Sequence, residues 1–275
     1  MIELLIFIFG AAVGSFLNVV ICRLETEEGM VKGRSHCPKC GQTLRWHDLI
    51  PIVSFFMLRG RCRACKEKIS WQYPIVEVAA GLLFLLIIFN PPTPLLKGGA
   101  GGLDFIALCF LLYVTCSLIV IFVYDLRHYI IPDVVLFPAV GAAVAYRIFE
   151  IFFNPPTPLL KGGAGGLAQL APFLFSALGA AAFFLFLVLV TRGRGMGRGD
   201  VKLALLLGLI LGWPDILLAL FLAFCLGALV GLGLIAAGRK TMKSQIPFGP
   251  FLIAGTLLAV FFGPAIIDYY FRFFI

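Results

Sequence analysis

The chain has 275 residues, 61% of them hydrophobic and only 13% charged, with a mean hydropathy of +1.04. That balance excludes a soluble globular domain. The net charge of +8 sits in a few loops, as the positive-inside rule produces, rather than on one basic face, which argues against nucleic acid as a partner.

Crossing a bilayer takes roughly 20 apolar residues. Eight candidate spans follow along the chain, at about 2–22, 75–89, 104–124, 134–153, 168–190, 200–211, 214–237 and 250–271. The expected fold is therefore an all-α polytopic membrane protein. Its divisions are a first helix (1–22), a polar segment with four cysteines (23–74) and a seven-helix membrane core (75–275). The first run lacks the basic flank of a secretory signal and reads as a retained helix.

The segment 23–74 carries CPKC at 37–40 and CRAC at 62–65. Two such knuckles can wrap one tetrahedral Zn²⁺ through Cys37, Cys40, Cys62 and Cys65. The 21-residue spacer lies just beyond the usual range for this pattern. A polar segment with so little core of its own needs a metal or disulfides, and a cytoplasmic location disfavours disulfides. Structural zinc is the favoured reading; an iron or redox site is the alternative, since four thiolates also bind iron. His36 and His47 read as surface residues. Cys22, Cys109, Cys116 and Cys225 lie in apolar runs and read as buried small hydrophobes. Glu77, just inside the second span, is placed to orient that helix or the cysteine segment.

Orientation follows from Lys and Arg. Ten of them lie between Arg23 and Lys68, three more at Arg192, Arg194 and Arg198, and three at Arg239, Lys240 and Lys243. Eight alternating spans put these loops on one side, the cytoplasmic one. Both chain termini are then expected outside. The sequence NPPTPLLKGGAGGL occurs at 90–103 and, identically, at 154–167. Its Pro and Gly content opposes a continuous helix, and both copies fall in loops assigned to the outer side. A duplicated insertion in tolerant loops explains it better than a duplicated binding element.

Two aspartates stand out. Asp125 closes the apolar run LCFLLYVTCSLIVIFVYD, and Asp200 opens another in GMGRGDVKLALLLGLILG. Ionisable groups at such positions are costly and are functional candidates by default. Asp125 lies at a helix C-terminus, where the dipole disfavours negative charge. Asp200 follows two glycines in a tight turn, and taken alone it also reads as a helix N-cap. Asp133, after Pro132, reads as a cap or first-turn residue. Glu3, Glu150 and Asp268 lie near membrane ends. If Asp125 and Asp200 meet, they form the paired carboxylates of an aspartic protease.

The motifs GSFLNVVICRLE (14–25), the two CxxC pairs, YPIVEV (73–78), DLRHYIIPD (125–133), GMGRGDVKL (195–203) and IPFGPFL (246–252) occur in this order. In this the chain resembles the type IV prepilin peptidases over nearly its whole length, apart from the two repeat insertions. The resemblance implies a bifunctional GxGD aspartic peptidase and N-methyltransferase of the bacterial inner membrane. It implies Asp125 and Asp200 as the catalytic pair, near the cytoplasmic face. It further implies removal of a basic leader from prepilins or pseudopilins, then methylation of the new N-terminus with S-adenosylmethionine. The cysteines carry over as the metal segment associated with methylation. No Gly-rich fingerprint marks a site for that donor, so its binding residues are unassigned. The basic loops suit anionic membrane lipids rather than a basic leader, for which Glu25, Glu27, Glu28 and Glu67 are the candidate contacts. Competing readings are a peptidase whose cysteine segment is only structural, a transporter relaying ions through Asp125 and Asp200, and a redox membrane protein, which visible iron absorbance would reveal.

Overall fold

A computed structural model describes residues 1–26, 35–92, 105–153, 165–193, 196–239, 241 and 244–274. Among these residues the chain is helical, and strand-like pairing is limited to isolated bridges, His36 with Thr43 and Arg61 with Lys68. Most of both NPPTPLLKGGAGGL copies lies outside the described residues. The end of the second copy is an exception to the loop expected there: Gly165–Leu167 already belong to a helix. The chain divides into two compact units, Met1–Asn90 and Pro91–Ile275.

The first unit contains α1 (Ile2–Thr26), a 3-10 turn (Trp46–Leu49), α2 (Val53–Met57) and α3 (Gln72–Phe89). Helices α1 and α3 run antiparallel in close contact. A Cβ at Gly10 would lie 2.8 Å from the Gly81 Cα, and one at Gly14 2.8 Å from the Glu77 Cα. Small residues one turn apart let two backbones approach where lipid gives no hydrophobic drive to associate. Polar contacts close one end: Asn18 Nδ2 donates to the Tyr73 carbonyl at 3.2 Å, and Cys22 Sγ lies 3.1 Å from the Tyr73 hydroxyl.

The second unit contains α4 (Phe105–His128), α5 (Asp133–Phe153), α6 (Gly165–Val190), α7 (Arg198–Leu211), α8 (Asp215–Ala236) and α9 (Gly249–Phe274). All eight expected long helices are present, and seven are long and apolar enough to cross a membrane. The exception is α7. Its 14 residues span about 21 Å at 1.5 Å per residue, against a hydrocarbon thickness of about 30 Å.

A helix this short survives because protein, not lipid, surrounds it. Leu203, Ala204, Leu206 and Leu207 are fully buried, and α7 packs on α5, α6, α8 and α9. Its last carbonyls would be orphaned in an apolar interior. Arg147 of α5 resolves this: its guanidinium donates to the carbonyls of Leu209 (3.1 Å) and Ile210. It also pairs with Glu150 and lies 3.6 Å from the centre of the Phe173 ring. Glu150 is thus the counter-ion of a buried arginine rather than an idle residue at a membrane end.

Phe175, Phe186, Leu189, Phe221 and Leu229 are exposed, as lipid-facing side chains should be. Cys109 is exposed as well, and Cys22, Cys116 and Cys225 are only half-buried. The expectation that these four fill a protein core is therefore corrected. An apolar run in a membrane protein identifies residues that tolerate lipid as readily as residues that tolerate a core.

Candidate active site and metal centre

In the second unit the site is assembled from the ends of three helices and one turn. Helix α4 stops when Tyr129 adopts φ +58 and donates its N–H to the Asp125 carbonyl at 2.9 Å. This left-handed residue ends the helix and sends the chain back past Asp125 toward Pro132. The turn carries Ile131, which is buried. A Cβ at Gly199 would lie 3.3 Å from the Ile131 side chain, and one at Gly249 3.6 Å from its Cδ1. Ile131 therefore packs against both the start of α7 and the start of α9.

Asp125 and Asp200 both border this packing, Asp200 as the neighbour of Gly199 and Asp125 through its contact with Gly249. They are 4% and 7% exposed. Their environments differ. Asp200 is the third residue of α7, not its N-cap as one reading of the sequence had it. Gly197 is the N-cap, and Asp200 Oδ2 accepts the Gly197 N–H at 3.1 Å. Asp125 faces Gly249: a Cβ there would collide with Asp125 Oδ2. The Gly249 backbone is directed at the Asp125 carboxyl group, yet Oδ2 has no partner of hydrogen-bonding geometry. Among the described residues only Thr256 Oγ1 is a buried side-chain polar atom in the same position. Groups of this kind are rare in folded proteins and call for an explanation.

Asp133 opens α5, as expected, and also takes Lys202 Nζ at 2.8 Å on each carboxylate oxygen. This half-exposed pair links α5 to α7 two residues beyond Asp200. Sequence reasoning missed Gly249, Ile131, Lys202 and Arg147. Gly249 had a legible signal, since a glycine before Pro250 at a helix start leaves room for a close approach.

In the first unit the cysteine segment folds as two similar knuckles. Gly41 donates to the Cys37 carbonyl and Lys66 to the Cys62 carbonyl, at 2.9 and 3.0 Å, while the N–H groups of Cys37 and Cys62 donate to Gln42 and Glu67. The residue after the second cysteine has positive φ in both knuckles, Gly41 at +68 and Lys66 at +60. The four sulfurs lie within 4.8 Å of one another, with Cys37 and Cys65 at 3.9 Å. Tetrahedral zinc thiolates at about 2.3 Å place sulfurs about 3.8 Å apart, so this donor set fits such an ion.

The chemistry of the thiols agrees. Backbone N–H groups of Cys65 and Ala64 lower Cys62 to about 7. Cys65 feels the Glu67 N–H in the same sense, but burial and the neighbouring thiols push it up to about 11. Without a cation the cluster resists holding four thiolates together, and a divalent metal would relieve that. Arg63 fixes the second knuckle by donating to Asp48 Oδ1 at 2.8 and 3.0 Å. Glu77 binds the segment to α3, accepting the Ile52 N–H at 2.6 Å.

Comparison with known proteins was made against this geometry. The Bacterial Peptidase A24 N-terminal domain matches residues 8–90, and the Type IV leader peptidase family matches residues 112–232. The prepilin leader peptidase/N-methyltransferase of Bacillus subtilis (strain 168) is 33% identical over 98% of this chain and 97% of its own length. The proteins of the same description from Pseudomonas putida and Aeromonas hydrophila are 32% and 30% identical, over 94% and 97% of this chain and 90% and 92% of theirs. No solved structure matches the chain. The chain belongs to the type IV leader peptidase family. It is a peptidase built on membrane helices, and the family resemblance read from its motifs holds.

Proposed function

We propose that the chain is an aspartic endopeptidase of the bacterial inner membrane that removes the leader from type IV prepilins or pseudopilins near the cytoplasmic face. We infer further that it methylates the new N-terminal residue with S-adenosylmethionine. The observation that carries the peptidase mechanism is the convergence of two buried carboxylates on the packing around Ile131, one of them with an unpartnered oxygen. Two such acids side by side do not both ionise readily. One, ionised, takes a proton from water as the water oxygen attacks the scissile carbonyl. The other, protonated, donates a hydrogen bond to the carbonyl oxygen. Collapse of the tetrahedral adduct breaks the C–N bond, and the leaving amine takes a proton from the pair. Asp200, braced by Gly197, is the fixed member; Asp125 Oδ2 is free to engage water or substrate.

Cys37, Cys40, Cys62 and Cys65 would hold one structural zinc ion, which joins the two knuckles. Methyl transfer is supported by the relatives described as prepilin leader peptidase/N-methyltransferases, and the donor would supply the methyl group when bound. The test is to incubate the purified chain with a prepilin and S-adenosylmethionine, then read the product N-terminus by mass spectrometry. Loss of the leader with gain of one methyl group is expected. A prepilin left intact by the parent chain, or cleaved equally by Asp125→Asn, would overturn the reading.

A further inference from the structure

The segment between the first two spans contains an uncharged stretch, Leu49–Leu58 (LIPIVSFFML), although ten basic residues lie between Arg23 and Lys68. The structure places this stretch by one contact. The Ile52 N–H, at the start of α2, reaches Glu77 Oε2 at 2.6 Å. Glu77 lies five residues inside α3. That helix has 18 residues, about 27 Å at 1.5 Å per residue, so all of it is needed to cross a hydrocarbon layer of about 30 Å. Glu77 is then about 7.5 Å inside the span. Its side chain leans toward the helix N-terminus, which brings the carboxylate nearer the boundary but not out into bulk water. Helix α1 also places Glu77 away from a helix end. The Glu77 backbone packs on Gly14, the middle residue of the 25-residue α1.

The outward face of this stretch is apolar. Val53, Phe56 and Met57 are 49, 60 and 76% exposed and share one side of α2 by their i, i+3, i+4 spacing. The face continues onto α3. Trp71, exposed and one residue before the span, packs on Phe55 and Phe56, with ring centres 4.9 and 6.5 Å apart. Ile75, one turn further in, is 61% exposed. Several backbone groups of the stretch bond within it, as a lipid-exposed segment requires. Ser54 donates to Ile50, Leu58 to Ser54 and Gly60 to Phe55, at 3.1, 2.9 and 2.8 Å. Exposed Arg59 and Arg61 follow directly.

We propose that residues 49–58 form a re-entrant membrane anchor. Its face of Val53, Phe56 and Met57 sits among the acyl chains of the leaflet where α3 begins, and Arg59 and Arg61 meet anionic headgroups. The cysteine segment is thereby inserted into the membrane surface rather than suspended above it. Continuity with the lipid-facing side of α3 selects lipid as the occupant, and the flanking arginines match the charge of phosphatidylglycerol.

The test uses the full chain in phosphatidylcholine/phosphatidylglycerol vesicles. The three tryptophans are replaced (Trp46→Phe, Trp71→Phe, Trp213→Phe) and one indole is introduced by Met57→Trp. Lipids brominated in the upper acyl chain should quench this indole about as strongly as one introduced by Ile75→Trp, and aqueous acrylamide should quench it weakly. Strong acrylamide quenching without lipid quenching would place the face in water and overturn the anchor. Protection from both quenchers would mean that protein covers it, a second copy or a bound peptide, and would overturn it equally. Should the Met57 variant fail to fold, Val53→Trp reports on the same face with the same expected outcome.

Discussion

The two compact units differ in how completely their buried acids are satisfied. In the first, Glu77 takes the Ile52 N–H, and the half-buried Asp48 takes Arg63 and the Arg45 N–H. These contacts tie a small segment to its helices. In the second, Asp200 accepts the Gly197 N–H, but Asp125, as buried as Glu77, has one oxygen with no partner. A structural acid is finished by the fold. Asp125 retains capacity for a partner that arrives later, as its proposed role in cleavage requires. Burial alone does not distinguish the two; the hydrogen-bond inventory does.

The comparison breaks first at the pair itself. Asp125→Asn and Asp200→Asn should each reduce prepilin cleavage by roughly 10⁴-fold or more, because paired groups act as a unit. Both variants should still insert and fold. Asp133→Asn should retain most activity, since a half-exposed pair with Lys202 contributes little, about 0–1 kcal/mol. Substantial cleavage by either of the first two variants removes the dyad.

Gly249→Ala sharpens the assignment without changing a charge. The added methyl collides with Asp125 Oδ2, and displacement of a reacting group by about 1 Å can cost on the order of 10²-fold. A fall in kcat with the melting temperature unchanged is expected. Parent-like kcat would show that the Asp125 position tolerates movement and is not catalytic.

In the first unit, Cys37→Ser or Cys62→Ser should abolish the proposed zinc binding, measured as metal per protein, because three thiolates hold a structural ion poorly. Methylation of a precleaved pilin should fall sharply and cleavage less. Complete loss of cleavage with methylation intact would reverse this division between the units. The pH dependence has a fixed sign. Ionised Cys62, held at about 7 by its backbone partners, stabilises the metal-bound segment above that range. Protons displace the metal as pH falls through it, so zinc retention should drop on acidification and not on alkalinisation.

The smallest effect belongs to Asp48. Burial raises its carboxyl, but the hydrogen bonds from Arg63 and the Arg45 N–H outweigh this and hold it below the ordinary carboxylate value. Its contribution is therefore complete at neutral pH and would fade only in acid. Asp48→Asn should lower the unfolding temperature of the segment by a few degrees while leaving cleavage by the second unit unchanged. An equal loss in both units would mean that they are not independent in stability.

Much of this protein was legible in its sequence. Apolar runs of membrane length announced the helices because lipid imposes one simple composition on whatever crosses it. The two CxxC pairs announced the clustered thiols, which could hold a metal ion, because thiolate spacing within a knuckle is local. The aspartates at the ends of apolar runs stood out because charge there is costly. Tertiary structure alone decided the rest. The 14-residue α7 could not be interpreted from its length, since its viability depends on four neighbouring helices and on Arg147, some sixty residues earlier in the chain. The contact of Gly249 with Asp125 joins residues 124 positions apart, and no periodicity records it. Local physics writes elements and ligand spacings into a sequence; which polar atom is left without a partner is a property of the whole packing, and only the folded chain fixes it.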